Sequence, residues 1–227
     1  MKSICQKIKL VQSTINSIIK HTNNNRNVTL IAITKTFSYQ DVLQALMCGI
    51  KHIGESRIQE ALPKFAQLGS SLNGIMKHFI GHIQSNKVKK IVDNFDLIHS
   101  LDNVKIANLI SKYAKICNKI QQCLIEVKMQ KSESRSGLHI KCVKELYQYC
   151  LTIPNISIKG LMVIAPYNSS VEELSQCFKK VYKLFHELKI YFVQPEFNVL
   201  SMGMSADYKI AIEEGSNMIR IGTAIFG

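Results

Sequence analysis

Lys35 closes a short apolar run, Val28-Thr29-Leu30-Ile31-Ala32-Ile33-Thr34, and is followed by Thr36. Such a run reads as a buried parallel strand, which places the lysine where the strand leaves the core. Taking an ammonium out of water is costly, so a lysine there either snorkels its charge into solvent or serves a chemical purpose. Burial lowers a lysine's proton affinity, and the free amine is then a nucleophile toward an aldehyde. A second suggestive segment lies near the C-terminus, where Arg220 stands between Ile219 and Ile221 and is followed by Gly222-Thr223. The apolar residues read as a strand ending at Ile221. Gly222-Thr223 would then open a short helix whose N–H groups, with the threonine hydroxyl, suit a phosphate. The loop before it, Ser201-Met202-Gly203-Met204-Ser205, adds further small donors. Arg220, inside a strand, needs a partner: either a structural ion pair or a heteroaromatic ligand.

These residues require elements that bring them together. Apolar runs of strand length recur at 30–34, 51–53, 78–80, 97–99, 123–127, 158–163, 198–201 and 218–221. Amphipathic stretches separate them at 39–48, 58–68, 104–117, 143–150 and 171–188, and a further helix is expected over 4–20, ahead of the first strand. Strand and helix in alternation predict a parallel sheet, and eight such units predict a closed (β/α)8 barrel of the TIM type with an extra N-terminal helix. An open doubly wound sheet would need a GxGxxG turn after its first strand, and none is present. Active sites of such barrels sit at the C-terminal ends of the strands. The polar residues that follow each strand are therefore the candidates: Lys35 and Thr36; Gly54, Glu55, Ser56 and Arg57; Gly81, His82, Gln84, Ser85 and Asn86; Ser100 and Asp102; residues 128–136; Ala165 and Pro166; residues 201–205; Gly222 and Thr223.

The chain of 227 residues is 46% hydrophobic and 20% charged, ordinary for a globular protein with a full core, and residues 1–227 are expected to form a single domain. No Pro/Gly/Ser-rich linker interrupts it; the polar stretches 21–27 and 128–136 are of loop length. The net charge is +13, but the lysines are scattered and no aromatic RNA-binding motif or Cys/His finger spacing accompanies them. A solvated basic surface is expected, without a nucleic-acid partner. The seven cysteines, at 5, 48, 117, 123, 142, 150 and 177, are odd in number, lack a CxxC pair and mostly fall at apolar positions, so all are expected to be reduced. The N-terminus has no continuous apolar h-region and no segment reaches membrane-span length, so a cytoplasmic location is expected, away from membranes.

Several stretches, in order from residue 31 to the last, resemble the pyridoxal 5′-phosphate (PLP) homeostasis protein family, whose fold is like the barrel domain of alanine racemase. They are 31–36 (IAITKT), 54–60 (GESRIQE), 78–87 (HFIGHIQSNK), 98–102 (IHSLD), 159–162 (KGLM), 200–207 (LSMGMSAD) and 220–227 (RIGTAIFG). The resemblance implies that Lys35 forms the internal Schiff base with the cofactor aldehyde. It implies that Ser201, Gly222 and Thr223, with Ser205 and the Met202 backbone, hold the phosphate, that Arg220 faces the pyridine nitrogen, and that His82 and Asn86 line the rim near the ring. The expected function is a cofactor carrier in PLP homeostasis without turnover, which passes PLP to apo-enzymes or limits the free aldehyde; a monomer is expected because a dimerising domain is missing. The alternative is a PLP-dependent amino-acid racemase. Alanine racemase takes its second base, a tyrosine, from an additional β domain across a dimer. This sequence leaves no residues for such a domain, and Tyr167 is its nearest tyrosine to a strand end. The chain departs from the family pattern at Ser56 (usually Asn), Lys77 (usually aromatic) and Phe37 (commonly basic). It has Ser134-Arg135-Ser136-Gly137 in place of SKSG and ends at Gly227, a few residues early.

Overall fold

The computed structural model describes residues 2–22, 26–129 and 136–227. The chain opens with α1 (Ile4–His21). Ser3 caps it by accepting from the Gln6 N–H while the Gln6 side chain accepts from Ser3, and Ile8, Val11 and Ile15 form its buried stripe. Among the described residues nine parallel strands follow: β1 (Thr29–Ile33), β2 (His52–Glu55), β3 (Met76–Phe79), β4 (Leu97–Leu101), β5 (Gln121–Lys128), β6 (Leu138–His139), β7 (Ile156–Val163), β8 (Val199–Met204) and β9 (Met218–Ile221). Between and after them lie α2 (Tyr39–Met47), α3 (Ile58–Leu68), α4 (Val88–Asn94), α5 (Val104–Ile116), α6 (Val143–Cys150), α7 (Val171–Phe192), α8 (Tyr208–Glu213) and α9 (Thr223–Phe226).

The hydrogen-bonded order is β4-β3-β2-β1-β9-β8-β7-β5, and β4 pairs with β5 to close the circle. This is the expected eight-stranded barrel with its N-terminal helix. The ninth strand, β6, lies outside the circle and pairs only with the end of β5. Its two residues are too few to carry a periodic signal, so the sequence does not announce it.

Each strand alternates its faces, and the alternation sets the site. Ile31 and Ile33 of β1 pack inside the barrel with Leu97, Leu124, Met162 and Met218. Ala32, between them, joins the outer layer with Ile219 and Ile221 of β9 and the stripe of α1. Arg220 therefore shares the inner face with Met218, and Ser201 turns inward while Leu200 and Met202 pack outward under the helices. At Gly160 (φ 153°) an added Cβ would overlap the Val199 carbonyl oxygen, so the close pairing of β7 with β8 depends on glycine there.

The expectation that every cysteine is reduced is corrected. Cys5 of α1 and Cys48 just after α2 form a disulfide, with Cα atoms 5.4 Å apart, because α1 packs beside α2; a separation of 43 residues gives no local sign of it. Of the five free thiols, Cys123, Cys150 and Cys177 are buried as expected, whereas Cys142 is exposed. Among the described residues no helix is long and apolar enough to cross a membrane.

Candidate cofactor site

β1 delivers Lys35 to the rim. Thr34 is buried at the strand end, and Lys35, the next residue, is exposed. Thr36 takes a left-handed backbone (φ 67°), rare for a β-branched residue, and its hydroxyl donates to the Lys35 carbonyl at 2.5 Å. The sharp bend turns the chain away just after the lysine. Below it, Lys64 reaches from α3 and donates to the Thr34 carbonyl and to Glu55 Oε1, both at 2.6 Å, while the Thr34 hydroxyl donates to the same carboxylate oxygen at 2.7 Å. This buried clamp ties the ends of β1 and β2 together. Lys64 sits mid-helix and carries no motif, so its role is invisible in the sequence.

Lys35 borders a cavity of about 380 Å³, a volume that suits a small cofactor. Its apolar walls are Ile33, Phe37, Ile80, Met162, Ile164, Met204 and Ala206; its polar lining is Lys35, Thr36, Ser56, Ser205, Arg220, Gly222 and Thr223. Phe37 stacks on Phe226 at 4.6 Å between ring centroids, which makes the aromatic departure at this position part of the wall. Of the residues expected to bind the cofactor, the structure gathers five here: Lys35, Ser205, Arg220, Gly222 and Thr223.

One end of the cavity is built for an anion. The N–H groups of Gly222 and Ala224, at the start of α9, both point at the Ser205 hydroxyl, at 3.2 and 3.3 Å. A Cβ on Gly222 would find only Ile33, no closer than 3.6 Å. The chain's own packing does not demand glycine there, so bare backbone is left for a ligand to approach. Apolar walls for a ring, convergent donors for a phosphate and a primary amine at the rim together fit PLP.

Arg220 forms the inner wall and is 3% exposed. Nη1 donates to the Ser201 carbonyl at 2.9 Å and the Ser201 hydroxyl at 2.6 Å, and Nη2 to the Val163 carbonyl at 2.8 Å. Burial lowers its pKa to about 10 against the opposing pull of Asp207 and Glu126, so it stays charged at neutral pH. Of the two partners open to it in the sequence, the structure supplies no ion pair among the described residues and leaves it facing the cavity.

Four expected residues stand elsewhere. Ser201 is fully buried and holds Arg220 from below instead of lining the cavity. The Met202 N–H is taken by the Ser216 hydroxyl at 3.3 Å, because Ser216 bridges β8 and β9 at that point. His82 is exposed and lines an adjoining hollow of about 510 Å³ with Arg57, Gln59 and Lys87. Asn86 lies exposed in the short 3-10 turn Ser85–Lys87, outside the lining of the Lys35 cavity. Ser56 borders both hollows. Lys77 uses its backbone N–H on Asp96 at 2.7 Å, within β3 and away from the cavity. Residues 134 and 135 of the expected SKSG-like stretch lie outside the described residues; Ser136 donates to Glu126 at 3.2 Å. Burial, with Asp102 nearby, pushes the Glu126 carboxyl up to about 7.

The alanine racemase N-terminal domain family matches residues 9–227. The pyridoxal phosphate homeostasis protein of Aquifex aeolicus is 38% identical over 98% of this chain and 97% of its own. PipY of Synechococcus elongatus PCC7942, solved with PLP bound, superposes with a TM-score of 0.89 at 30% identity over 99% of this chain and all of its own. Alanine racemase of Clostridium difficile shares the fold (TM-score 0.72, 13% identity), but this chain, matched over 98%, covers only 56% of that one. By sequence over nearly its whole length, and by the barrel that brings Lys35 and the donors of α9 to one cavity, the chain belongs to the pyridoxal phosphate homeostasis protein family.

Proposed function

We propose that this protein binds PLP reversibly inside the cell as a cofactor carrier and buffer, acts as a single barrel domain without catalytic turnover, and hands PLP to apo-enzymes. The observation that carries the reading is the cavity in which Lys35, Arg220 and the Ser205–Gly222–Thr223 corner converge. When bound, PLP supplies an aldehyde that reacts with amines. Lys35 is the amine placed to attach it. Gly222, Ala224, Thr223 and Ser205 offer donors for its phosphate, with Ser205 giving up the two N–H groups it now receives. Ser201 acts through Arg220, and Met202 contributes packing alone.

The same lining favours holding over turnover. Two-base racemisation needs a proton-exchanging group on each face of the ring. The residues that line the cavity include one amine, Lys35, and no tyrosine, histidine, cysteine or carboxylate, and Arg220 stays charged. Tyr167, the tyrosine nearest a strand end, is 82% exposed and not in the lining. Arg220 can only donate, so it would leave a ring nitrogen unprotonated and the cofactor a weak electron sink.

The test is to add PLP to the purified protein and follow the visible absorption of lysine-attached cofactor. Lys35→Ala should abolish it. Bound PLP should then reactivate an apo-enzyme faster than release into buffer allows. A colourless wild-type protein would refute binding, and steady conversion of L-alanine to D-alanine would refute the carrier assignment.

A further inference from the structure

Three histidines inside the barrel form a chain that ends on Arg220. His52 Nδ1 lies 3.0 Å from His78 Nε2, and His78 Nδ1 lies 3.0 Å from His99 Nε2. His99 Nδ1 lies 3.3 Å from the Ser201 hydroxyl, which accepts from Arg220 Nη1 at 2.6 Å. The imidazoles come from β2, β3 and β4 in succession. His78 and His99 are 1% and 0% exposed, while His52 is half-buried and borders a separate hollow of about 410 Å³ at the strand N-terminal side, with Gln12, Asn27 and Lys51.

Hydrogen-bond logic gives this chain one direction. Arginine only donates, so the Ser201 oxygen accepts at that end; among the described residues the hydroxyl has no other acceptor in reach than His99 Nδ1, so its own proton goes there. A neutral imidazole has one donor and one acceptor. His99 then carries its proton on Nε2 and donates to His78 Nδ1, and His78 Nε2–H donates to His52 Nδ1. Burial keeps the two inner rings neutral: it lowers His78 to about 3 and His99 well below the ordinary value. The chain is not a proton conduit, because its inner end is a permanent donor that can neither take up a proton at neutral pH nor pass one on.

We propose that His52, His78 and His99 are positioning residues: a one-way hydrogen-bond relay, each imidazole neutral with its proton on Nε2, that orients the Ser201 hydroxyl and thereby holds Arg220 in the cofactor cavity. A buried arginine anchored only on carbonyl oxygens can pivot about its Nη contacts; the oriented hydroxyl adds the acceptor that sets its plane. The relay rests on the PLP reading only for what Arg220 serves.

Two measurements test it. In cofactor-free protein with ¹⁵N-labelled histidine at neutral pH, the relay requires His52, His78 and His99 to give the neutral Nε2–H pattern, with slow exchange at His78 and His99. A charged ring or an Nδ1–H tautomer at any of the three overturns it. In ¹⁵N-arginine protein, Arg220 should show restricted guanidinium rotation that is lost in Ser201→Ala and His99→Gln, and largely kept in Ser201→Thr, which retains the hydroxyl. Unchanged Arg220 dynamics in both disruptive variants overturns the positioning role, and the wild-type tautomer pattern decides the relay even if a variant fails to fold. With PLP, His78→Gln, which does not line the cavity, should shift the absorption maximum and weaken binding by about tenfold, near the worth of one net hydrogen bond; wild-type spectrum and affinity in that variant would refute the role. If the wild type binds no PLP at all, the cofactor reading fails while the two labelled-protein measurements still decide the relay.

Discussion

Lys64→Met tests how the end of β1 is held beside Lys35. Lys64 is 9% exposed and Glu55 0%, and Glu55 Oε2 has no hydrogen-bond partner. Methionine keeps the length and apolar stem of lysine but removes the ammonium. The Glu55 carboxylate is then left buried with only the Thr34 hydroxyl, and the Thr34 carbonyl keeps only the Phe37 N–H at 3.2 Å. Removing one partner of a buried pair costs about 3–5 kcal/mol, chiefly because the remaining charge stays desolvated. That is a large share of the ~5–15 kcal/mol by which a domain is stable, and corresponds to a melting temperature lower by about 10 °C for a chain of this size. Adding Glu55→Gln to Lys64→Met removes the stranded charge and should recover most of the loss. The assay is urea and thermal unfolding of the cofactor-free protein followed by circular dichroism, with wild type and both variants at one pH. A Lys64→Met cost below about 1 kcal/mol, or a double variant no more stable than Lys64→Met, would show that the pair is not the buried clamp described. Because the clamp grips the residue before Lys35, Lys64→Met should also release PLP faster than wild type, which stopped-flow absorbance would read.

The remaining predictions concern pH, backbone and the phosphate corner. Glu126 titrates near 7 in the fold against an ordinary 4.5, so the folded state holds its proton more tightly; stability from this group is full below pH 4.5 and is lost as pH rises through about 7. Glu126→Gln should therefore be more stable than wild type at pH 8, by at most about 3 kcal/mol, with the two converging near pH 4.5 in unfolding measurements. His78 works in the opposite sense: it is depressed from 6.5 to about 3, so its contribution is present above 6.5 and lost as pH falls toward 3. Glu126→Gln should accordingly lose stability more steeply than wild type between pH 6.5 and 4.5. Thr36→Gly should relieve the left-handed backbone and stabilise the fold by about 0.5 kcal/mol, yet weaken PLP retention by loosening Lys35; equilibrium unfolding and PLP titration check the two halves. Gly160→Ala should fail to fold or lose about 3 kcal/mol or more through overlap with the Val199 backbone. Gly222→Ala should stay within about 0.5 kcal/mol of wild type while binding PLP less tightly.

Local pattern was enough to find all eight barrel strands and the six helices read from periodicity, because each needs only a short apolar run or a repeating stripe. It was not enough for β6, which has two residues, or for the Cys5–Cys48 disulfide, which depends on how α1 lies on α2. At the site, Lys35, Ser205, Arg220, Gly222 and Thr223 could be read from strand ends and motifs, and the structure brings them to one cavity. His82 and Asn86 belong to the same motifs but project to a neighbouring hollow or to solvent, since a motif records chain order and not the direction of a side chain.

The order of residues by itself determined the alternation of strand and helix, the family, and the amine and donors that suit PLP, because these depend on type and spacing along the chain. Only the tertiary structure decided what surrounds them. Closing β4 onto β5 puts the inner faces of all eight strands around one axis, and that closure makes His52, His78, His99, Ser201 and Arg220 neighbours although up to 168 residues separate them. The packing of α3 over the β1–β2 pair sets Lys64 beneath Thr34, and the alternation of faces along β8 turns Met202 away from the cavity. Burial, charge pairing and hydrogen-bond direction are properties of neighbours in space, and in a parallel barrel those neighbours come from distant strands.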